Sequence, residues 1–527
     1  MALSRTLLTA AVALAALHVT VALAQVPRQP TAEPPRTGTT EIPAAPDETS
    51  HQKPPEMSPE AKPVQFNRSV FGPDPDYADK PYDPKAQLEI YGGKHRVNGP
   101  RPPVEIGRDL YSEGPLGNGY NLIGSKNRLF PQLMVFGDWR SAVAYNDNGA
   151  LETGQVATRL NVDVDLKLTA TERIHMFVTP LQQGGKFTRK EFFGDDHNDS
   201  EFIKNGNIRT LFFEGDAGQI LSGLTDEYQT FDLPFTFGFV PLLFQNGIWM
   251  EDAIIGGAFT IPSRNSAALD ITNMDVTFFG GGDRVTSQAV KDANGKVADH
   301  AANVFGVATF IETLSGYIEA GYGYTQDTRD GADFSYHNAT LAFTRRYGGW
   351  LSNSVRGIVN FGQDPGGNRR QTADGFILLM ENSLITSRPL TLLPYANFWV
   401  GFDKPQSLAR DAGAGGVLRN TGINFETDGL TNFPKLDDTG NDTFGGAVGL
   451  EYLFDLHQQI VVEAATVQVI GGDFVPGRPA ASDQYALGVR YQLPLNDRWI
   501  LRADAIRGWK TQQGDVAGVR LEVRRKF

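Results

Sequence analysis

Tyr485-Ala-Leu-Gly-Val-Arg-Tyr-Gln-Leu493, Trp499-Ile-Leu-Arg-Ala-Asp-Ala-Ile-Arg-Gly-Trp509 and Ala517-Gly-Val-Arg-Leu-Glu-Val-Arg-Arg-Lys-Phe527 close the sequence as three alternating runs. In the first, Tyr485, Leu487, Val489, Tyr491 and Leu493 share a face, with Ala486, Gly488, Arg490 and Gln492 opposite. In the second, Trp499, Leu501, Ala503, Ala505 and Trp509 stand against Arg502 and Asp504. In the third, Val519, Leu521, Val523 and Phe527 stand against Arg520, Glu522, Arg524 and Lys526. A period of two is the signature of a β-strand with two different faces. Trp499 and Trp509 share a face ten residues apart. On a strand tilted near 40° they are separated by roughly 26 Å along the membrane normal, the height of an apolar band flanked by aromatic girdles.

The same alternation runs back through the chain. Gln155 to Leu168 sets Val156, Thr158, Leu160, Val162, Val164 and Leu166 against Arg159, Asn161, Asp163, Asp165 and Lys167. A charge at nearly every second position means that one face meets water along its whole length. Strand signals fall near 138–146, 155–168, 173–181, 207–216, 231–240, 252–262, 269–280, 302–312 and 316–326. They continue at 334–347, 350–361, 374–385, 390–402, 443–454, 459–470, 484–494, 499–509 and 517–527. That makes 18, with 16 as the neighbouring even count. No convincing helix interrupts them.

The links between runs sort into two sets. The tight ones include 169–172, 313–315, 348–349, 386–389, 455–458 and 495–498. The long polar or Gly-rich ones include 182–206, 281–301, 362–373, 403–442 and 471–483. Short turns at one end and long loops at the other is the pattern of a transmembrane barrel. Only 217–230 and 263–268 break it. The expected fold is therefore all-β, an antiparallel up-and-down barrel of about 18 strands over 131–527.

The chain has 527 residues and no cysteine. Arg5, the apolar run Leu7–Leu17 and Ala22-Leu-Ala24 read as a signal peptide over 1–24. Residues 25–65 are Pro-rich and read as a disordered linker. Residues 66–130, rich in Gly, Pro, Tyr and Asp, read as an irregular periplasmic extension, either coiled on the rim or folded back as a plug. Without cysteine there is neither a disulfide framework nor a covalently attached c-type haem. The formal charge is −13, which argues against nucleic acid as a partner. A mean hydropathy of −0.29 fits a soluble protein or a barrel equally, since only alternate residues of a barrel face lipid.

The closing strand, with Val519, Leu521 and Val523 alternating ahead of Phe527, resembles the assembly signal of bacterial outer-membrane β-barrels. An aromatic often stands two residues before the final Phe in such signals; here that position is Arg525. The resemblance implies a cell outer-membrane location, lipid around the barrel, recognition by the barrel-assembly machinery, and periplasmic termini. The stretch Leu233–Asp252 looks more narrowly like part of an alginate-export-type barrel, which implies passage of an acidic polysaccharide. The Gly-Arg-Gln start of that pattern is replaced by Gly238-Phe239-Val240.

Alternation nominates Arg159, Asp163, Asp165, Lys167, Arg356, Glu381, Glu451, Arg490, Arg502, Asp504 and Arg520 as lumen-lining. Arg490, Arg502 and Arg520 lie on consecutive strands and form either a basic ladder for anions or one half of paired charges, the latter being favoured. Phe244, Trp249 and Met250 sit in a connection too apolar for the outside, and either narrow the pore or anchor the rim. Trp499 and Trp509 are the girdle pair.

Asp437, Asp438 and Asp442 lack the spacing of a calcium loop. These and Gly194–Asp199 read as polar loops, so no metal or cofactor is expected. Ser335 two residues from His337, with His175 and His457, is too weak a pattern for a catalytic site. The expected function is a porin-like channel for passive diffusion of small polar or charged solutes, and not an enzyme. The alternatives are a polysaccharide exporter, or a barrel sheathing a periplasmic partner such as a cytochrome, docked through the N-terminal extension.

Overall fold

The computed structural model describes residues 101–107 and 119–527, apart from 184, 195–199, 291–296, 298–299, 301, 368, 389–390, 427–428, 455–457 and 472–477. The signal peptide, the Pro-rich linker, most of the extension, His457 and nearly all of the 194–199 run lie outside the described residues.

Eighteen antiparallel strands close into a barrel. They are β1 Gln132–Asp147, β2 Glu152–Lys167, β3 Arg173–Val178, β4 Ile208–Asp216, β5 Pro234–Phe244 and β6 Met250–Ser266. Then follow β7 Ile271–Asp283, β8 Ala302–Thr313, β9 Gly316–Asp327, β10 Tyr336–Tyr347, β11 Leu351–Phe361 and β12 Asp374–Leu384. The last are β13 Leu392–Lys404, β14 Thr443–Phe454, β15 Gln458–Val469, β16 Gln484–Pro494, β17 Trp499–Lys510 and β18 Val516–Lys526. Each pairs with its neighbours in sequence, and β18 pairs back onto β1 from Asp138↔Lys526 to Asp147↔Ala517. Phe527 completes the seam: its N–H donates to the Gly137 carbonyl at 3.0 Å and its carbonyl accepts from Gly137 at 2.9 Å. All eighteen expected strands are present, and the β18–β1 pairing closes the sheet on itself.

The two faces reverse the order of a soluble sheet. On β1, Trp139 and Val143 are exposed, whereas Arg140, Ala142, Ala144 and Asn146 are buried. The same holds on β16, β15 and β18, where Leu487, Val462 and Leu521 are about half exposed beside buried Gln484, Glu463 and Arg520. A contiguous apolar exterior around a polar interior makes sense only with lipid outside.

Turn chemistry sets the end that carries Phe527, the closing rim. The β8–β9 turn is Leu314-Ser315, both with φ near +55°. The β10–β11 turn uses Gly348-Gly349 at φ 56° and 75°, where glycine removes the side-chain clash. One rim link is not a turn. Ala217–Thr225 forms a helix, α1, capped by Asp216, whose side chain accepts from the Gln219 N–H. The Asp216–Gln219 spacing is that of a capping box, a helix signal missed among the strand patterns.

Beyond the rim, β1 and β2 run on past β18. The edge of β1 is completed by the short strand Val104–Gly107, paired to Gln132–Val135. Ser125 donates to Asp226 at the end of α1, and Asn127 donates to Glu172 at 2.8 Å. Burial pushes the Glu172 carboxyl upward, but hydrogen bonds from Thr169, Thr171 and Asn127 hold it below the usual range. The described part of the extension therefore lies on the rim.

Candidate functional site: the barrel interior

Two segments of the chain itself enter the interior, both from the end opposite the closing rim. The first is the β5–β6 hairpin tip. Trp249 is fully buried and donates from Nε1 to Asn338 Oδ1 on β10 at 2.7 Å. Gln245 Oε1 accepts from Thr340 on β10 and Arg356 on β11. β5 and β10 stand five strands apart in a ring of eighteen, so the tip crosses a chord of the barrel. The Trp249 ring lies against the Gly321 backbone on β9, where any Cβ would sit 2.6 Å from it. Phe244 and Phe279 pack beside Trp249, with ring centroids 4.9–5.9 Å apart. Phe244, Trp249 and Met250 thus point inward rather than to the rim.

The second is 405–442, nearly the whole of the 403–442 stretch read from sequence as a polar outer loop. It instead runs from one wall of the barrel almost to the other. Near its start, the Leu408 carbonyl accepts from Thr325 on β9 and Tyr336 on β10, each at 2.8 Å. Near its end, the Thr431 carbonyl accepts from Asn146 on β1 and Gln155 on β2. Leu408, Leu418, Phe425, Leu430 and Leu436 along it are almost wholly buried. Phe425 meets the Trp399 ring edge-on at 5.1 Å. The physical reason is composition: these apolar side chains gain more from the interior than from water. A connection of 38 residues is also far longer than an unstructured loop normally is.

Its main anchor is Glu463 on β15, 1% exposed. The carboxylate accepts from the Ile423 N–H at 2.9 Å, the Asn424 N–H at 2.9 Å and the Asn424 side chain at 2.8 Å. Tyr395 on β13 donates a fourth bond. A Cβ at Gly422 would lie 2.2 Å from this carboxylate, so glycine lets the segment reach it. Arg410, 3% exposed, is held by the carbonyls of Gly247, Ala414 and Gly415 and by Glu251 at 3.3 Å. It ties the two inward segments together. Burial lowers its affinity for a proton, which Glu251 partly restores.

Among the described residues, the acidic side chains of this segment share no centre. Asp438 takes Lys435 and the Gly416 N–H, Asp437 takes Thr439, and Asp442 takes the Asp403 N–H. Asp437 keeps some contact with solvent, yet burial and the adjacent Asp438 push its carboxyl up to about 6.

Below these segments the wall charges gather in clusters. Arg490, Arg502 and Arg520 converge on Asp504, at 2.8, 2.9 and 2.9 Å. Arg490 also reaches Glu426 of the inward segment at 2.6 Å. Burial opposes the charged form of Glu426, but Arg490 and Arg502 hold its carboxyl below the usual range. Glu522 takes Arg140 at 2.8 Å and Arg524 at 3.6 Å. Arg356 lies 3.5 Å from Glu319 and 3.9 Å from Glu381. The three arginines thus form one half of a paired cluster.

The remaining nominated residues stand apart. Asp163 lies 3.4 Å from His175, and Asp165 3.4 Å from Arg173. Arg159 donates to Asn161 and covers the Phe187 ring. Glu451 accepts from Gln459, and Lys167 is exposed at the rim end of β2. Asp138, Asp163, Asp165, Arg524 and Phe527 line a cavity of about 420 Å³ at the closing rim. Trp499 and Trp509 lie at opposite ends of β17. Ser335 and His337 have separate partners, the Asp327 N–H and the Tyr322 hydroxyl. Sequence reasoning missed Glu426, Arg410 and Asn424, all on 405–442; its apolar content was the available signal.

No family model and no curated protein matches this chain. Among solved structures, it is similar to Pseudomonas aeruginosa OpdK with vanillate at 12% identity and TM-score 0.47, over 75% of this chain and 98% of that one. Pseudomonas aeruginosa OccK11 (OpdR) aligns at 10% identity and TM-score 0.47, over 75% and 96%. Pseudomonas aeruginosa OccK5 (OpdH) aligns at 11% and 0.45, over 75% and 98%. The likeness is one of barrel architecture.

Proposed function

We propose that this chain is an outer-membrane channel for small polar or charged solutes. The closing rim faces the periplasm, the lipid band lies between Trp499 and Trp509, and Phe527 with Val519, Leu521 and Val523 presents the strand read by the assembly machinery. The observation that carries this reading is the inversion of faces: an apolar exterior around a charged, hydrogen-bonded interior. Permeation follows the charged clusters on β1, β2 and β16–β18. The hairpin tip and 405–442 narrow the path and make it selective, with Phe244, Trp249 and Met250 in the constriction. It needs no cofactor and performs no chemistry on the solute.

Polysaccharide export is less favoured, because Arg490, Arg502 and Arg520 are already engaged by Asp504 and Glu426. A sheath around a partner is less favoured because the chain's own segments occupy the middle of the interior. Liposome swelling provides the test. Proteoliposomes should swell in small sugars and amino acids and not in oligosaccharides. No size-dependent swelling from correctly inserted protein would overturn the reading.

A further inference from the structure

The strand ladder of the wall is interrupted at the loop end, which leaves a side cleft between β4 and β5. β4 pairs with β5 only from Asp216↔Pro234 to Leu211↔Phe239. β5 then continues through Val240–Phe244 with β6 as its sole strand partner among the described residues. Near the end of the ladder the paired Gly238 takes φ 125°, and just beyond its last pair Pro241 has no N–H to donate. On the far side of the hairpin, β6 joins β7 only from Ile255↔Asp283. Its first residues, Met250 and Glu251, pair instead with Ala409 and Arg410 of the inward segment. The upper hairpin has left the wall for the interior.

The other side of the cleft belongs to the chain that leaves β3 at Val178. Its strand Lys186–Gly194 climbs along β2, and Ser200–Glu201 descends beside it toward β4. The facing edges expose Phe202, Ile208, Leu211 and Leu243, between 44% and 76%. Behind them lies an apolar cluster of Val240, Leu242, Met250, Leu408 and Ala409. Six to ten residues above Pro234, the cleft lies roughly 16–26 Å from the rim, within the loop-end half of an apolar band. Its floor holds one ion pair. Arg209, at a bulge in β4, reaches Asp411 of the inward segment at 2.6 Å, and each side chain is about one-third exposed.

We propose that this cleft is a lateral portal for a single-chain amphipathic anion. The alkyl tail lies between β4 and β5, continuous with the lipid-facing wall. Its carboxylate displaces Asp411 from Arg209. The proposal rests on the barrel lying in a bilayer, which KCl conductance checks separately.

The test uses the whole chain in lipid nanodiscs with spin-labelled stearate and its uncharged methyl ester as probes. Lipid contact alone immobilises both probes alike. The portal predicts an excess immobilised fraction for the acid over the ester. That excess should fall at least fivefold in Arg209→Ala, largely return in Arg209→Lys, and fall in Leu243→Asp, with KCl conductance retained throughout. Equal immobilisation of acid and ester in the wild type, or an excess untouched by both Arg209→Ala and Leu243→Asp, overturns the portal. Loss of conductance would instead count against the barrel reading.

Discussion

The guanidinium of Arg525 lies 5.6 Å from the ring centroid of Trp499, its direct neighbour across β17 and β18. Trp139 faces Arg525 from β1 on the other side. The residue that departs from the usual aromatic of a barrel's closing strand is thus set between two tryptophans at the rim. An exposed cation–π contact is worth about 0.5–1 kcal/mol. Arg525→Ala should lower stability to unfolding in lipid by about that amount, and no further in a Trp499→Ala background. A full additive loss in the double variant would show that the two residues act separately.

Glu463 is the acceptor on which 405–442 hangs. Glu463→Ala strands two backbone N–H groups, one side-chain amide and the Tyr395 hydroxyl. The docked segment should lose on the order of 3–5 kcal/mol. Single-channel recordings should then show larger, flickering steps, while barrel melting changes little. Unchanged conductance would mean that another contact holds the segment.

Gly321 leaves room for the Trp249 ring. Gly321→Ala forces the hairpin tip to shift and should cost about 1–3 kcal/mol. Hydrogen exchange of the Gln245–Trp249 amides reports it: faster exchange there, with β9 still protected, is the expected outcome.

Asp437 gives the inward segment a pH dependence. Its carboxyl titrates near 6 when docked and near 3.9 when released. The docked form therefore binds the proton more tightly between those values. Docking is strongest below about pH 4 and weakens as pH rises through about 6. Conductance should fall on going from pH 7 to pH 5, and Asp437→Asn should flatten that response. The Glu426–Arg490 pair does not interfere in this window, since the Glu426 carboxyl titrates below its usual range.

Asp504 neutralises three arginines. Asp504→Asn removes the carboxylate that Arg490, Arg502 and Arg520 share and makes the interior more basic. Reversal potentials under a KCl gradient should shift toward chloride, with a permeability ratio raised roughly two- to fivefold. An unchanged reversal potential would place the path away from this cluster.

The strands were legible because each carries its own two-faced pattern, as Arg490, Arg502 and Arg520 do against Val489, Leu501 and Leu521. Pairing with opposite charge was the favoured reading of those arginines, but that all three share Asp504 is a cross-strand contact that alternation does not specify. Helix α1 was hidden by its short length within a chain of strands, although Asp216 and Gln219 marked its start. The inward segment was not legible as such. Its contacts, Thr431 to Asn146 and Gln155, or Asn424 to Glu463, join residues with no shared period or fixed spacing. Only the buried-type residues Leu418, Phe425, Leu430 and Leu436 hinted that this loop does not live in water.

The central claim is that 405–442 sits inside a membrane-spanning barrel and sets the width of its path. The most direct measurement is single-channel conductance in planar bilayers, comparing the intact chain with one in which 412–434 is replaced by a short Gly-Ser linker. The structure predicts small steps for the intact chain and steps several-fold larger for the shortened one. Equal conductance from two correctly inserted barrels would contradict it.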